Sequence, residues 1–237
     1  MAAETDEAIC LRHWEWSETS QTVALFARGH GVVRALAKGS RRPKAPYSGG
    51  VELLTVAEIG FIARPQSELA LLTYWDLRRT FPALRNSLFA HNAGMYLADM
   101  VLQFVRDHDP HPALYDAALL ALERTDAPTG ESGTIAAALL GFQSAMLDEC
   151  GFRPQLMNDA RTGDPLAPLD EYLFHPELGG LIAPNDTAPP GGWRVRSETV
   201  DLLRAVASGE PTESAAEVAL DRGNRLLASY ARHILGY

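Results

Sequence analysis

Residues 17–44 read SETSQTVALFARGHGVVRALAKGSRRPK, two apolar runs joined by a Gly-His-Gly turn and followed by a cationic loop. Glycine readily takes the positive φ angles of tight turns, so residues 28–31 predict a hairpin turn. The flanking runs, residues 22–27 and 32–37, then form antiparallel strands. This segment therefore predicts β-structure at the start of the chain.

The second strand of this hairpin is predicted to have two different faces. Side chains alternate along a strand, so Arg34, Leu36 and Lys38 share one face. The opposite face carries the small apolar side chains of Val33, Ala35 and Ala37. The pattern predicts a cationic outer face and an apolar inner one.

The same segment carries six cations and no acidic residue after Glu18, in a chain of formal charge −9. An uninterrupted basic segment in an acidic chain favours binding to a polyanion. The alternative is a solvated loop whose cations offset neighbouring carboxylates. The six candidate binding residues are Arg28, Arg34, Lys38, Arg41, Arg42 and Lys44.

Further short strands are predicted on both sides of this hairpin, at residues 8–11, 51–57, 59–63 and 69–75. Five or six short strands without a long helix are typical of a small β-barrel of the OB type. Four aromatic side chains are available for base stacking and are equally suited to the barrel core or rim: Trp14, Trp16, Tyr47 and Trp75. We predict an OB-fold domain over residues 1–80.

After residue 81 the apolar spacing changes to about 3.6 residues, which predicts helices. They are predicted at residues 84–105, 112–124, 132–148, 197–207 and 214–235, with Ser197 as an N-cap. A segment rich in Pro, Gly and Asp, at about residues 155–193, interrupts them as a loop-rich insert. The fold class is therefore α+β and multidomain, with an α-helical bundle domain over residues 81–237.

Charge is distributed unevenly between these two parts. Residues 1–80 hold ten Lys and Arg against nine Asp and Glu, whereas residues 81–237 hold eleven against twenty-one. The first part is thus the one predicted to meet phosphate, and the second to repel it.

Several classes of protein and site are excluded by the sequence. The two cysteines, Cys10 and Cys150, are too few and too far apart for a disulfide framework or a cysteine zinc site. Neither a signal peptide nor an apolar run long enough for a membrane span is found, so we expect a cytoplasmic protein. No catalytic motif is recognised, and we predict no enzymatic activity, no cofactor and no metal.

Five short motifs, in order along the chain, identify a resemblance to RecO, the bacterial recombination mediator family. They are Ser17-Glu18-Thr19-Ser20, Gly29-His30-Gly31, Ala37-Lys38-Gly39-Ser40-Arg41-Arg42, Cys150-Gly151-Phe152-Arg153-Pro154-Gln155-Leu156 and Phe174-His175-Pro176-Glu177-Leu178-Gly179-Gly180-Leu181. The third resembles the family's AKGxRR segment, and the last its FxxxxGGLxC segment. Order and spacing agree along nearly the whole chain.

The resemblance implies an OB-fold joined to a helical domain and a role in DNA repair. It implies binding of single- and double-stranded DNA, strand annealing, and help in loading recombinase onto coated single strands. The implied partners are the RecR protein and the acidic, apolar C-terminal tail of single-stranded-DNA-binding protein. A nucleoid-associated location in the cytoplasm follows from the same resemblance.

The sequence departs from the family pattern in the insert. Many members have two CxxC pairs there, suited to tetrahedral zinc. The corresponding segments here, NDART at residues 158–162 and APND at residues 183–186, contain no cysteine. We therefore predict that packing holds the insert, through Tyr172, Phe174, Leu181 and Trp193.

A site for the acidic partner tail is predicted near the end of the third helix. Phe142 and Met146 are expected to line an apolar pocket, and Arg153 to pair with carboxylates of the tail. The alternative is that the apolar residues of this region, which include Leu147 and Phe152, are ordinary core.

Two other functions stay open at this point. An OB barrel on an acidic helical scaffold can recognise protein or structured RNA without a role in recombination. An enzyme with a site built from His, Asp and Glu residues of the insert is the other alternative, although no spacing supports it.

Overall fold

The chain folds as two compact units, Met1–Gly130 and Glu131–Tyr237, in a computed structural model. The residues that the structure describes are 3–42, 47, 51–64, 67–126, 132–185, 188–210, 212 and 215–237. Lys44, one of the six predicted cations, lies outside them.

The first unit is built on a closed five-stranded barrel with the strand order β1-β2-β3-β5-β4. The strands are β1 (Glu4–Glu15), β2 (Gln21–Ala27), β3 (Gly31–Ala37), β4 (Val56–Ile62) and β5 (Ala70–Arg79). A parallel pairing of β3 with β5 closes the barrel, and all other pairings are antiparallel. The predicted OB-like barrel is confirmed.

The inside of the barrel follows the predicted alternation. Val33, Ala35 and Ala37 are fully buried in its core, whereas Arg34 and Leu36 are half-buried and Lys38 is exposed on the other face. Small inward side chains suit a five-stranded barrel, because its interior is narrow.

One strand prediction in this unit was wrong. The runs at residues 51–57 and 59–63 are not two strands, because pairing begins only at Val56 and continues to Ile62. Leu54 has a φ of 53°, and the hydroxyl of Thr55 donates to the carbonyl of Glu52. This local turn prevents an extended strand from starting at Val51.

Three helices complete the first unit: α1 (Ala83–Asn86), α2 (Leu88–Phe104) and α3 (Pro112–Thr125). The predicted single helix at residues 84–105 is divided at Ser87, which is extended and whose hydroxyl accepts from the Ala90 amide to cap α2. α2 packs on β1, and Tyr115 of α3 contacts Phe26 with ring centroids 5.6 Å apart. These contacts make the helices part of the barrel unit, while a domain boundary at residue 80 stays a prediction.

The second unit combines a helical core with a small sheet. Its elements are α4 (Ser132–Glu149), β6 (Glu171–His175), β7 (Gly180–Ile182), β8 (Trp193–Arg196), α5 (Ser197–Ala207) and α6 (Glu217–Leu235). α6 packs on both α4 and α5. None of the helices in the described part of the chain is long and apolar enough to cross a bilayer.

The insert is ordered by an antiparallel sheet with the strand order β7-β6-β8. Phe174 stacks on Trp193 at 5.8 Å and meets Tyr230 of α6 edge to face at 5.1 Å. Packing therefore contributes to holding the insert, as predicted.

A polar clasp adds to this packing at residues 158–162 and 183–185, within the two segments that the resemblance matched to cysteine pairs. Arg161 donates to both carboxylate oxygens of Asp159, at 3.2 and 3.0 Å, and to the side-chain oxygen of Asn185 at 3.3 Å. The Ala183 amide donates to Asp159 at 3.0 Å. We call these four residues, Asp159, Arg161, Ala183 and Asn185, the polar clasp.

The polar clasp does not fit zinc. Its one carboxylate is hydrogen-bonded to a guanidinium, and hard oxygen atoms replace the thiolates that zinc prefers. Across the described residues, no group of three or more His, Cys, Asp or Glu side chains is arranged to hold a metal ion.

The clasp predicts an acid-sensitive contribution to stability. Hydrogen bonds from Arg161 hold the pKa of Asp159 well below its ordinary value of 3.8. Because the folded-state pKa is depressed, the contribution is complete above the unfolded-state pKa and is lost as pH falls towards the folded-state value. At pH 7, Asp159→Asn should lower the free energy of unfolding by about 1–3 kcal/mol, since Asp159 is buried and its partners lose a charged acceptor.

Urea unfolding of both proteins from pH 7 down to about pH 3 measures this difference, which should shrink below about pH 4. The matched control is Asp164→Asn, on an exposed side chain of the same segment, and it should leave the free energy of unfolding unchanged. Equal effects of the two substitutions at pH 7 would contradict the clasp.

Candidate nucleic-acid interface

The outer surface of β1, β2 and β3 is open at one end and covered at the other. At the covered end, Phe26 packs on Tyr115. The register places two cross-strand rows towards the open end, Trp14–Thr22–Leu36 and Arg12–Ala24–Arg34. We call the solvent-reaching residues of this region the open barrel face: Arg12, Trp14, Thr22, Arg34, Leu36 and Lys38.

Two of the four predicted aromatic platforms are exposed. Trp14 is 43% exposed and Trp16 is 62% exposed, and the guanidinium of Arg12 lies 5.9 Å from the ring of Trp14. Tyr47 and Trp75 are buried in the barrel core instead, and the Tyr47 hydroxyl donates to the Leu72 carbonyl at 2.6 Å. An aromatic ring beside a cation suits a nucleotide, because bases stack on rings while cations attract phosphate.

The sequence did not single out Arg12 as a candidate or place it beside Trp14, because the first strand was expected to end at Leu11. A register shift between Cys10 and Arg12 lets β1 continue to Glu15. Arg12 and Trp14, two residues apart, then point outward together. A longer run of alternating buried and exposed residues would have indicated the full strand, but the bulge between Cys10 and Arg12 interrupts this alternation.

Three of the six predicted cations are paired with carboxylates. The pairs are Arg28–Asp116 at 2.8 Å, Arg34–Asp107 at 2.8 Å and Arg41–Glu15 at 2.8 Å. The hydrogen bonds from Arg28 hold the pKa of the Asp116 carboxyl below its ordinary value. Lys38 and Arg42 are exposed, and neither has an ion pair within the described residues.

The six cations therefore do not form one free cluster. Asp107 and Asp116 come from the helical part of the first unit, about 70–90 residues further along the chain. The sequence of the basic segment therefore does not predict these partners. The Arg28–Asp116 and Arg41–Glu15 pairs are exposed and the Arg34–Asp107 pair is partly exposed, so solvent weakens each pair and a phosphate can replace the carboxylate. Lys38 and Arg42 can bind a polyanion without first displacing a carboxylate partner among the described residues.

The Gly-His-Gly turn is fixed by acidic side chains at the start of β1. His30 lies 2.6 Å from Asp6 through Nδ1 and 2.9 Å from Glu4 through Nε2. The Gly29 amide also donates to Asp6 at 2.8 Å. His30 thus has a structural role in the turn.

Gly31 joins this turn to the segment that carries Asp107. Its φ is +67°, and a Cβ at this position would overlap the backbone of Asp109. The close approach allows the His108 amide to donate to the Val32 carbonyl at 3.1 Å. Glycine at position 31 therefore helps to hold Asp107 beside Arg34.

The predicted partner site in the second unit is only partly exposed. Phe142 and Met146 are 1% and 0% exposed, because α6 packs on α4. They are core residues in this structure and present no surface to a partner. Arg153 is exposed, is paired with Asp148, and borders a cavity of about 570 Å³. Met157, Leu203 and Arg204 are among the other residues that line this cavity.

Comparison with known proteins gives matches along nearly the whole chain. Residues 1–81 match the family described as "Recombination protein O N terminal", and residues 85–236 match "Recombination protein O C terminal". A "DNA repair protein RecO" from Rhodopirellula baltica is 36% identical over 219 residues, which cover 92% of this chain and 79% of that protein. One from Anaeromyxobacter sp. (strain Fw109-5) is 28% identical over 234 residues, covering 96% and 90%.

The close approach at Gly31 yields a test of the turn. Gly31→Ala should destabilise the protein by about 2 kcal/mol or more, because it combines left-handed strain with displacement of the Asp109 backbone. Gly29→Ala is the matched control, two residues away and without positive φ, and should change stability by less than about 0.5 kcal/mol. Thermal unfolding measures the stability of both variants. Similar melting temperatures would contradict the conclusion that only glycine fits at position 31 beside the Asp109 backbone.

Proposed function

Because this chain belongs to the RecO family of DNA repair proteins, we propose that it is a recombination mediator that anneals complementary strands and assists recombinase loading. In this role it binds single- and double-stranded DNA and catalyses no chemical reaction. The observation that carries the proposal is the open barrel face, where the exposed side chains of Trp14 and Arg12 lie on the same surface as Arg34 and Leu36 of β3, with Lys38 just beyond that strand.

The proposed site binds a strand through its backbone and its bases. Lys38 and Arg42 attract phosphates directly, while Arg28, Arg34 and Arg41 exchange a carboxylate for a phosphate. A base stacks on the exposed ring of Trp14, which is tolerant of sequence because every base has a π-face. Lys44 is proposed to extend this site.

Annealing follows from partial neutralisation of the bound strand. Two DNA strands repel each other through their phosphates, and cations at the interface replace the condensed counterions. Exposed ion pairs can re-form when the strand leaves, so the product duplex is released without a large penalty.

Two protein partners belong to this proposal, RecR and the acidic, apolar tail of single-stranded-DNA-binding protein. The cavity beside Arg153 suits such a tail, because it combines the cations Arg153 and Arg204 with the apolar side chains of Met157 and Leu203. Recruitment through this tail brings the protein to coated single strands, in the cytoplasm at the nucleoid.

The first test separates the effect of Lys38 and Arg42, which have no ion pair among the described residues, from the effect of net charge. Fluorescence anisotropy with a labelled single-stranded oligonucleotide, across a salt series, should show a steep fall of affinity with salt. Lys38→Glu with Arg42→Glu should weaken binding and flatten the slope of log K against log salt by about 1.4, since each lost phosphate contact contributes about 0.7.

The control is Arg64→Glu with Arg232→Glu, which changes net charge equally on exposed side chains that are not members of the open barrel face. Its slope should match that of the unaltered protein. No binding at low salt would overturn the DNA proposal and leave the protein-interaction alternative. Equal loss in both double variants would move the site away from the open barrel face.

The second test addresses the tail. A fluorescent peptide with acidic residues and an apolar carboxyl end should bind the full chain, and Arg153→Glu should weaken binding about tenfold or more by repelling its carboxylates. Arg232→Glu, on an exposed side chain that does not line the cavity, should leave the affinity unchanged. Isothermal titration measures both, and equal affinities would place the tail elsewhere.

A further inference from the structure

A second cavity, of about 430 Å³, lies within the second unit between β8, the start of α5 and α6. Four arginines line it: Arg194, Arg196, Arg222 and Arg225. Such a cluster is unexpected in residues 81–237, which hold eleven cations against twenty-one acidic side chains. We call this cavity the arginine pocket.

A buried hydroxyl without a partner also lines the arginine pocket. Thr199 is 1% exposed, and among the described residues its Oγ1 makes no hydrogen bond. Buried polar atoms are nearly always hydrogen-bonded, so an unsatisfied hydroxyl beside a cavity points to an absent acceptor.

The same wall of the pocket is the amino end of α5. The predicted cap by Ser197 was wrong: Arg196 occupies the N-cap position, Ser197 is the first helical residue, and no side chain caps the helix. The Ser197 amide already donates to the Asp170 carbonyl at 2.9 Å, and the helix dipole favours an anion at this end. Thr199, which lines the pocket, lies in the first turn of this helix.

The charges around the pocket leave room for an anion. Arg194 pairs with Glu171 at 2.7 Å and Arg225 with Asp221 at 3.0 Å. The pair of Arg222 with Glu198 is longer, at 3.8 Å. Arg196 is exposed and has no ion pair within the described part of the chain. An incoming anion therefore meets one free and one loosely held guanidinium.

Trp193 supplies an aromatic wall to this pocket. Its ring is nearly parallel to that of Phe174, at 14° and 5.8 Å, which fixes its position. A fixed ring next to guanidinium groups is suited to a nucleotide, whose base stacks while its phosphate is bound.

We infer that the arginine pocket binds a phosphate group of a single nucleic-acid strand, with Arg196 and Arg222 on the phosphate, Thr199 donating to it and a base on Trp193. The inference rests on the proposed function in that the ligand is a DNA strand, and it adds a second strand contact outside the barrel. Phosphate is favoured over the carboxylates of a peptide because a base-sized ring accompanies the cations. An internal diester and a terminal monoester offer the same chemistry.

The experiment uses the full chain with Lys38→Glu and Arg42→Glu already introduced, so that residual binding of single-stranded DNA reports the pocket. Adding Arg196→Glu and Arg222→Glu should weaken this residual binding at least about tenfold. Adding Arg64→Glu and Arg232→Glu to the same background is the charge-matched control and should have a much smaller effect.

Thr199→Val tests the orphan hydroxyl at nearly constant shape. Removing an unsatisfied polar group should leave thermal stability unchanged or higher, so a loss of binding cannot be attributed to unfolding. We expect a several-fold loss of affinity for DNA in the barrel-variant background. Unchanged affinity in both Thr199→Val and the double arginine variant would overturn the inference while the barrel site stands.

Photocrosslinking locates the strand independently. An oligonucleotide with 5-iododeoxyuridine should crosslink to a peptide that contains Trp193, and Thr199→Val should reduce this crosslink. Tighter binding of a 5′-phosphorylated oligonucleotide than of a hydroxyl-ended one identifies a terminal phosphate, and equal binding identifies an internal one.

Two outcomes overturn the inference in distinguishable ways. If the arginine substitutions lower the affinity for the acidic peptide but not for DNA, the pocket is a peptide site and the proposed function is unaffected. If neither the unaltered chain nor any variant binds DNA at low salt, the proposed function fails together with the pocket.

Discussion

Closure of the barrel by the parallel pairing of β3 with β5 is the constraint on which the first unit depends. With the barrel closed, every second residue of a strand must point into a narrow apolar interior, and its neighbours must point out. Helices α2 and α3 and the segment after α2 cover part of that outer surface. What remains is the open barrel face, so its position follows from how the barrel is closed and where the helices pack.

Local patterns in the sequence predicted most elements, because alternation in strands and 3.6-residue spacing in helices are short-range properties. The two faces of β3 and the helices α3 and α4 follow from them directly. The carboxylate partners were not predictable, since Asp107 and Asp116 reach Arg34 and Arg28 only after the helices pack. Burial of Phe142 and Met146 has the same origin: an apolar residue on a helix becomes core or pocket according to what packs on it, here α6.

An acidic protein that binds an acidic polymer has to keep its cations available without a large positive surface. In this chain most exposed arginines have a nearby carboxylate, and the exposed pairs are weak enough to be exchanged. In the proposed function this makes contact with DNA reversible and dependent on ionic strength, which suits a protein that must hand a strand on. The arginine pocket extends the same arrangement to the second unit, where Arg196 has no ion pair among the residues that the structure describes.

With the polar clasp in place of a thiolate site, the insert does not need a zinc ion to hold these two segments together. A thiolate zinc site is complete only after the metal arrives, and it is lost when its sulfur atoms are oxidised or a stronger chelator is present. Asp159, Arg161, Ala183 and Asn185 are all supplied by the chain itself. The polar clasp therefore needs neither a bound metal ion nor a reduced thiol, so its contribution to the insert does not depend on metal supply or on oxidants.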